Sequence, residues 1–116
     1  FWNETKVKAM ATVGDGGKPH IAPIHASFER GVLRTTIYVD AVRRADIRRN
    51  PEVALSTWGP GGAAAIVYGR ASEIAGSEKE TRPGASGAGR RTVGLAIAVH
   101  RIYAMKGRDG DTPAAG

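Results

Sequence analysis

One short helical run set among β-like runs is what most constrains the fold of this chain, and residues 18–55 contain it. In that stretch Pro19-His20-Ile21-Ala22-Pro23 reads as a strand, and Gly31-Val32-Leu33-Arg34-Thr35-Thr36 reads as another. An arginine-rich helical turn then ends at Arg48-Arg49-Asn50-Pro51. Pro51 forbids continuation of a helix and biases Asn50 away from the α region, so the helix is confined to residues 41–49. Asp40 stands where an N-cap carboxylate would accept from the first free amides.

The remaining segments alternate or carry β-branched residues. Residues 7–13 are followed by Gly14-Asp15-Gly16-Gly17, whose Asp-Gly step is a hairpin signal. A strand over 19–28, a turn at Glu29-Arg30-Gly31 and a return over 32–39 complete a predicted three-stranded meander. Residues 52–58 and 63–74 read as further strands joined by Gly59-Pro60-Gly61-Gly62, with Gly69 marking a bend or a close backbone approach. Residues 75–90 lack large apolar side chains and are expected to be a mobile loop. From Arg91 a period of two returns: Val93, Leu95, Ile97 and Val99 share one face, and the small residues Gly94, Ala96 and Ala98 share the other. Six strands and one helix in this order favour a small closed barrel over a sandwich. The domain is expected over 1–108, with residues 109–116 a disordered tail.

A chain of 116 residues is near the size where burial only just stabilises a fold. The small-residue face of the last strand therefore predicts a homodimer. Zero cysteines exclude disulfides, Cys-ligated zinc, iron–sulfur clusters and a thiol nucleophile. No apolar run approaches the roughly 20 residues of a membrane span, and a cytoplasmic protein without a membrane partner is expected. The chain starts at Phe1, so an upstream segment is expected to exist. The net charge of +6 fits several anionic partners, and eight of the 17 basic residues fall between Lys18 and Arg70, inside patterned segments.

Arg43, Arg44, Arg48 and Arg49 are the sharpest charged feature. With Asp40 capping, Arg43 would lie in the first helical turn, where unpaired amides and the helix dipole already favour a phosphate. A solvated arginine face is the competing reading. His20 and His25 are an odd number of positions apart on one strand and point to opposite faces, which argues against a shared metal. His25 facing a cofactor is the functional alternative to a structural histidine. Gly84-Ala85-Ser86-Gly87-Ala88 lacks the final glycine and the preceding strand of a nucleophile elbow, and Gly14-Asp15-Gly16-Gly17 fits neither dinucleotide fingerprint nor P-loop. The aromatics do not alternate with basic residues as they do on RNA-binding sheets, which argues against nucleic acid.

Several segments in their order resemble the pyridoxamine 5'-phosphate oxidase-like, flavin-binding split-barrel family. They are Met10-Ala11-Thr12-Val13, Asp15 to Ile24 (DGGKPHIAPI), Gly31-Val32-Leu33, and Arg43 to Leu55 (RRADIRRNPEVAL). Tyr68-Gly69-Arg70-Ala71 and Arg90-Arg91-Thr92-Val93 fit as well. The resemblance implies an all-β domain with one or two short helices, built as a six-stranded antiparallel split β-barrel. It also implies a homodimer with FMN or the deazaflavin coenzyme F-420 at the interface, and oxidoreductase activity on a small-molecule substrate. Arg43 occupies the place of a family lysine, eight residues before the proline, that contacts the cofactor phosphate. By the same matching Arg34, Thr35 and Thr36 would lie along the ring and ribityl chain and His25 would face the ring, with Arg44 beside the phosphate residue. The alternative is a cofactor- or haem-binding module without turnover, with His25 or His100 as axial ligand.

Overall fold

The computed structural model describes residues 1–80 and 90–107. Its strands are β1 (Lys8–Val13), β2 (Pro19–Pro23), β3 (Ala26–Glu29), β4 (Val32–Tyr38), β5 (Glu52–Trp58), β6 (Ala64–Glu73), β7 (Lys79–Glu80) and β8 (Arg91–Met105). The one α-helix, α1, spans Val42–Arg49. All pairings are antiparallel, in the order β2-β1-β5-β6-β8-β4-β3, with β7 added to β8. Because β2 and β3 are consecutive in the chain yet end the two sides of this order, the sheet curls into a barrel joined at that corner.

Six strands were expected, and the described residues form eight. The run over 19–28 is two strands, since β2 pairs with β1 while β3 pairs with β4. The chain turns the corner through Ile24 and His25: the Ile24 amide donates to the Lys8 carbonyl at 3.0 Å, and its side chain enters the core. The predicted meander is therefore two hairpins. The eighth strand is β7, which falls in the run expected to be a loop, so that expectation is corrected at Lys79–Glu80. Residues 81–89, including the dismissed Gly84 to Ala88 segment, and the tail at 109–116 lie outside the described residues.

The core follows the period-two pattern. Met10, Leu33, Leu55, Val67, Val93 and Leu95 are each no more than 1% exposed and fill the barrel, while alternate residues of β4 face outward. The β3–β4 turn has two central residues, Arg30 (φ 51°) and Gly31 (φ 82°), both left-handed as a tight hairpin requires. That turn fixes Glu29 opposite Val32, and hence Ser27 opposite Arg34. At Gly69 the β6–β8 register shifts, and a Cβ there would stand 2.6 Å from the Ala98 carbonyl oxygen, so only glycine permits this approach. The second half of β8 runs on beyond the closed part and pairs with β6 alone.

One capping expectation is overturned. The N-cap of α1 is Ala41, with no side-chain cap, and Asp40 instead accepts from Arg90 Nη2 at 2.9 Å. Packing rather than capping fixes the helix. Asp46 and Ile47 are its buried residues, and they face β1 and the barrel.

Candidate functional site

A cavity of about 840 Å³ opens between the start of β1, the β3–β4 hairpin and residues 74–79. Its volume lies within the range of sites that hold drug-sized ligands. Thr5, Lys6 and Lys8 line one side, His25, Ser27 and Glu29 a second, and Arg34, Thr35 and Thr36 the floor. Ile74, Gly76, Ser77, Glu78, Lys79 and Gly94 complete the wall.

Several of these groups are already held. The Thr35 hydroxyl donates to the His25 carbonyl, which ties the barrel corner to β4 and leaves the His25 ring exposed to the cavity. Lys8 is buried, with its ammonium donating to the Thr5 carbonyl and lying 5.9 Å from the Trp2 ring. Ser77 accepts from the Gly94 amide at 2.9 Å and donates to the Ile74 carbonyl at 2.6 Å. A Cβ on Gly94 would meet Ser77 at 3.3 Å, so at this position the small face of β8 is packed against the chain's own wall.

The predicted site residues separate into two groups. His25, Arg34, Thr35 and Thr36 come together on this cavity. Arg43 and Arg44 are not among its lining residues. Arg43 reaches only the Pro23 carbonyl, at 3.5 Å, and partial burial lowers its pKa. Arg44 is bound to two carboxylates, Glu73 at 2.8 Å and Glu78 at 3.0 Å. These bonds raise its pKa, the hydrogen bond to Glu73 contributing most. Arg48 joins the same Glu73 at 2.7 Å. Since Glu78 lines the cavity, this network fastens the cavity wall to α1.

A second polar centre lies on the other side of the helix. Asp46, 1% exposed, accepts from Thr12 Oγ1 at 2.8 Å, is bonded to His20 Nδ1 at 2.7 Å and accepts from Arg49 Nη2 at 3.1 Å. Burial pushes its pKa upward, and the His20 and Thr12 bonds with the charges of His20 and Arg49 outweigh it, for a net lowering. His20 and His25 thus serve different places, one fastening the β1–β2 hairpin to α1 and the other facing the cavity. Among the described residues no three His, Cys, Asp or Glu side chains could hold a metal ion.

Sequence reasoning missed Lys6, Lys8, Ser27 and Lys79 as lining residues. Ser27 was within reach, because the two-residue turn at Arg30-Gly31 fixes it opposite Arg34. The lysines carried no signal, since only the folded barrel brings the chain start and residues 74–79 beside β4.

No protein-family model matches the chain, and no curated protein matches it. Solved structures do. An F420 reductase aligns with a TM-score of 0.71 at 20% identity, covering 87% of this chain and 91% of that one. General Stress Protein 26 from Bacillus anthracis str. Sterne gives a TM-score of 0.70 at 21% identity, over 90% of this chain and 87% of that one. A candidate pyridoxamine 5'-phosphate oxidase from Listeria innocua gives 0.64 at 20% identity, over 85% and 87% of the two chains. With the strand order and the corner between β2 and β3, these likenesses establish that the chain has the split-barrel fold of pyridoxamine 5'-phosphate oxidase-like proteins.

Proposed function

We propose that this protein is a flavin- or deazaflavin-dependent oxidoreductase that holds FMN or coenzyme F-420 in the cavity over β4 and acts as a homodimer. The observation that carries this reading is the meeting of His25, Arg34, Thr35 and Thr36 on one cavity of about 840 Å³. A flat ring with an anionic tail fits such a site: the floor is a strand face of small and polar residues, and three lysines and an arginine line it against two glutamates. That one structural neighbour is an F420 reductase supports the same class of cofactor.

When bound, a flavin or deazaflavin ring supplies hydride transfer as its own chemistry. The chain's residues would position and shield. Thr35, fixed to the His25 carbonyl, holds the floor rigid, and the exposed His25 ring offers a polar edge to a ligand. Residues 74–79, held by Ser77 against β8 and by Glu78 against Arg44, form a wall that limits water on one side. Exposed Trp58, Tyr68, Tyr103 and Met105 on the β5–β6–β8 sheet support the homodimer, since monomers rarely leave such aromatic surface open.

The exposed His25 in this cavity also favours a second reading, a haem- or cofactor-holding module without turnover. Absorption spectra of the protein titrated with FMN, F-420 and haem separate the two. A shifted flavin or deazaflavin band, followed by its bleaching with a reductant and recovery with an acceptor, is the expected result. A Soret shift with no flavin response would select the second reading, and no response to any of the three would overturn both.

A further inference from the structure

Arginines in this fold are sorted by whether an acid already holds them. Arg44 and Arg48 share Glu73, Arg49 is on Asp46, and Arg70 is on Glu52. Arg34 differs. It stands on the outward face of β4, between Ser27 of β3 and Ala96 of β8 in register, and lines the cavity. Among the described residues no carboxylate lies within ion-pairing distance of it. Its neighbours across the strands are small, so nothing on the sheet covers the guanidinium fork. Thr36, two residues on and therefore on the same face, lines the cavity with it, as does Ser27 from β3.

The charge of the cavity points the same way. Lys8 is turned to the Thr5 carbonyl, and Glu78 is taken by Arg44. Lys6, Arg34 and Lys79 then face a single remaining acid, Glu29. A partly enclosed cation excess is most stable with an anion in it, and a planar guanidinium with adjacent hydroxyls matches the oxygens of a phosphate.

The geometry points to Arg34, rather than Arg43, as the residue that anchors the phosphate of the cavity's ligand, with Thr36 and Ser27 beside it and Lys6 and Lys79 adding charge. This assignment rests on the cavity being the cofactor site. It differs from the position expected from the family pattern, because Arg43 is directed to the Pro23 carbonyl and lies off the cavity lining.

FMN and riboflavin share one ring system and differ by the phosphate, so a pair of flavin-fluorescence titrations isolates the anchor. Wild type is expected to prefer FMN, and Arg34→Gln to lose FMN affinity by about 10- to 150-fold with riboflavin binding unchanged. Arg43→Gln should retain the preference. Circular dichroism establishes that both variants fold. If Arg34→Gln keeps the FMN preference, or Arg43→Gln alone abolishes it, the assignment is overturned while the flavin reading stands. Thermal melts with inorganic pyrophosphate give a readout independent of any flavin. A stabilisation in wild type that vanishes in Arg34→Gln supports the anchor even if neither flavin binds, and the absence of any pyrophosphate effect together with no flavin binding overturns it.

Discussion

Arg44 grips Glu73 with both ends of its fork, Nε to Oε2 at 3.2 Å and Nη2 to Oε1 at 2.8 Å. Arg48 adds bonds to the same two oxygens at 2.7 and 3.1 Å. The end of β6 is thereby locked to α1 by two guanidiniums on one carboxylate, with Glu78 of the cavity wall drawn into the same cluster. These bonds, from Arg44 first and Arg48 second, outweigh partial burial and hold the Glu73 pKa at about 2, below its ordinary 4.5.

The sign of the pH effect follows from that lowering. A carboxylate whose pKa is depressed by folding stabilises the native state fully above its unfolded value, and the contribution is lost as pH falls toward the folded one. Acidification from about 4.5 to about 2 should therefore erode stability, and Glu73→Gln should flatten that part of the profile. At neutral pH the variant is expected to lose about 1–2 kcal/mol, a figure reduced for the partial exposure of the site. Thermal melts of both proteins across this window decide the matter. Parallel acid losses in the two would show that Glu73 is not the group responsible.

Asp46 offers a sharper test of buried polar packing. It satisfies Thr12 of β1, His20 of β2 and Arg49 of its own helix at once, and ties α1 to the β1–β2 hairpin more closely than the 3.5 Å bond from Arg43 to the Pro23 carbonyl does. Asp46→Asn keeps the shape but turns two acceptor oxygens into one and places an amide donor among donors. A loss of about 1–3 kcal/mol is expected. Urea unfolding should show a lower midpoint with an unchanged slope. A variant as stable as wild type would mean that water replaces the carboxylate at no cost.

The alternation of β4 and β8, the helix stop at Pro51 and the bend at Gly69 were legible because each follows from a local rule of period, ring geometry or missing Cβ. The break between β2 and β3 was not. Nothing in Pro23-Ile24-His25 states that the chain must leave one partner strand and join another, since this is decided by closure of the barrel. The cluster Arg43, Arg44, Arg48 and Arg49 was visible as charge, but its partners Glu73, Glu78 and Asp46 lie 3 to 34 residues away and are chosen by tertiary packing. The same limit hid the cavity lysines, whereas His25, Arg34, Thr35 and Thr36 were grouped by the resemblance to the split-barrel family, and the folded chain brings them onto one cavity from a corner and one strand.

Gly69 tests the close packing at the β6 bulge. An added methyl would stand 2.6 Å from the Ala98 carbonyl and 2.8 Å from the Ile97 side chain, and neither can retreat without opening the β6–β8 ladder. Gly69→Ala is expected to cost about 1–3 kcal/mol through overpacking, despite the lower unfolded-state entropy of alanine. Hydrogen exchange should show faster opening of the amides of β8 around Val99. Unchanged protection there would indicate that the strands shift apart freely.

The homodimer can be tested at two alternative surfaces. Tyr68 and Tyr103 meet edge to face, with ring centroids 6.1 Å apart, on an exposed sheet face that also carries Trp58 and Met105. The outward side of β8 near Ala98 offers the small-residue alternative, but its Gly94 end is already covered by Ser77. Aromatic anchors dominate most interfaces, so Tyr68→Glu with Tyr103→Glu should weaken association by at least about 30-fold, while Ala98→Arg should leave it nearly unchanged. Sedimentation velocity at micromolar protein is expected to give twice the chain mass of 12.2 kDa for wild type and for Ala98→Arg, and the single-chain mass for the double variant. A wild type that sediments as one chain would remove the dimer from the proposed function. Dissociation by Ala98→Arg alone would move the interface to the small-residue face of β8.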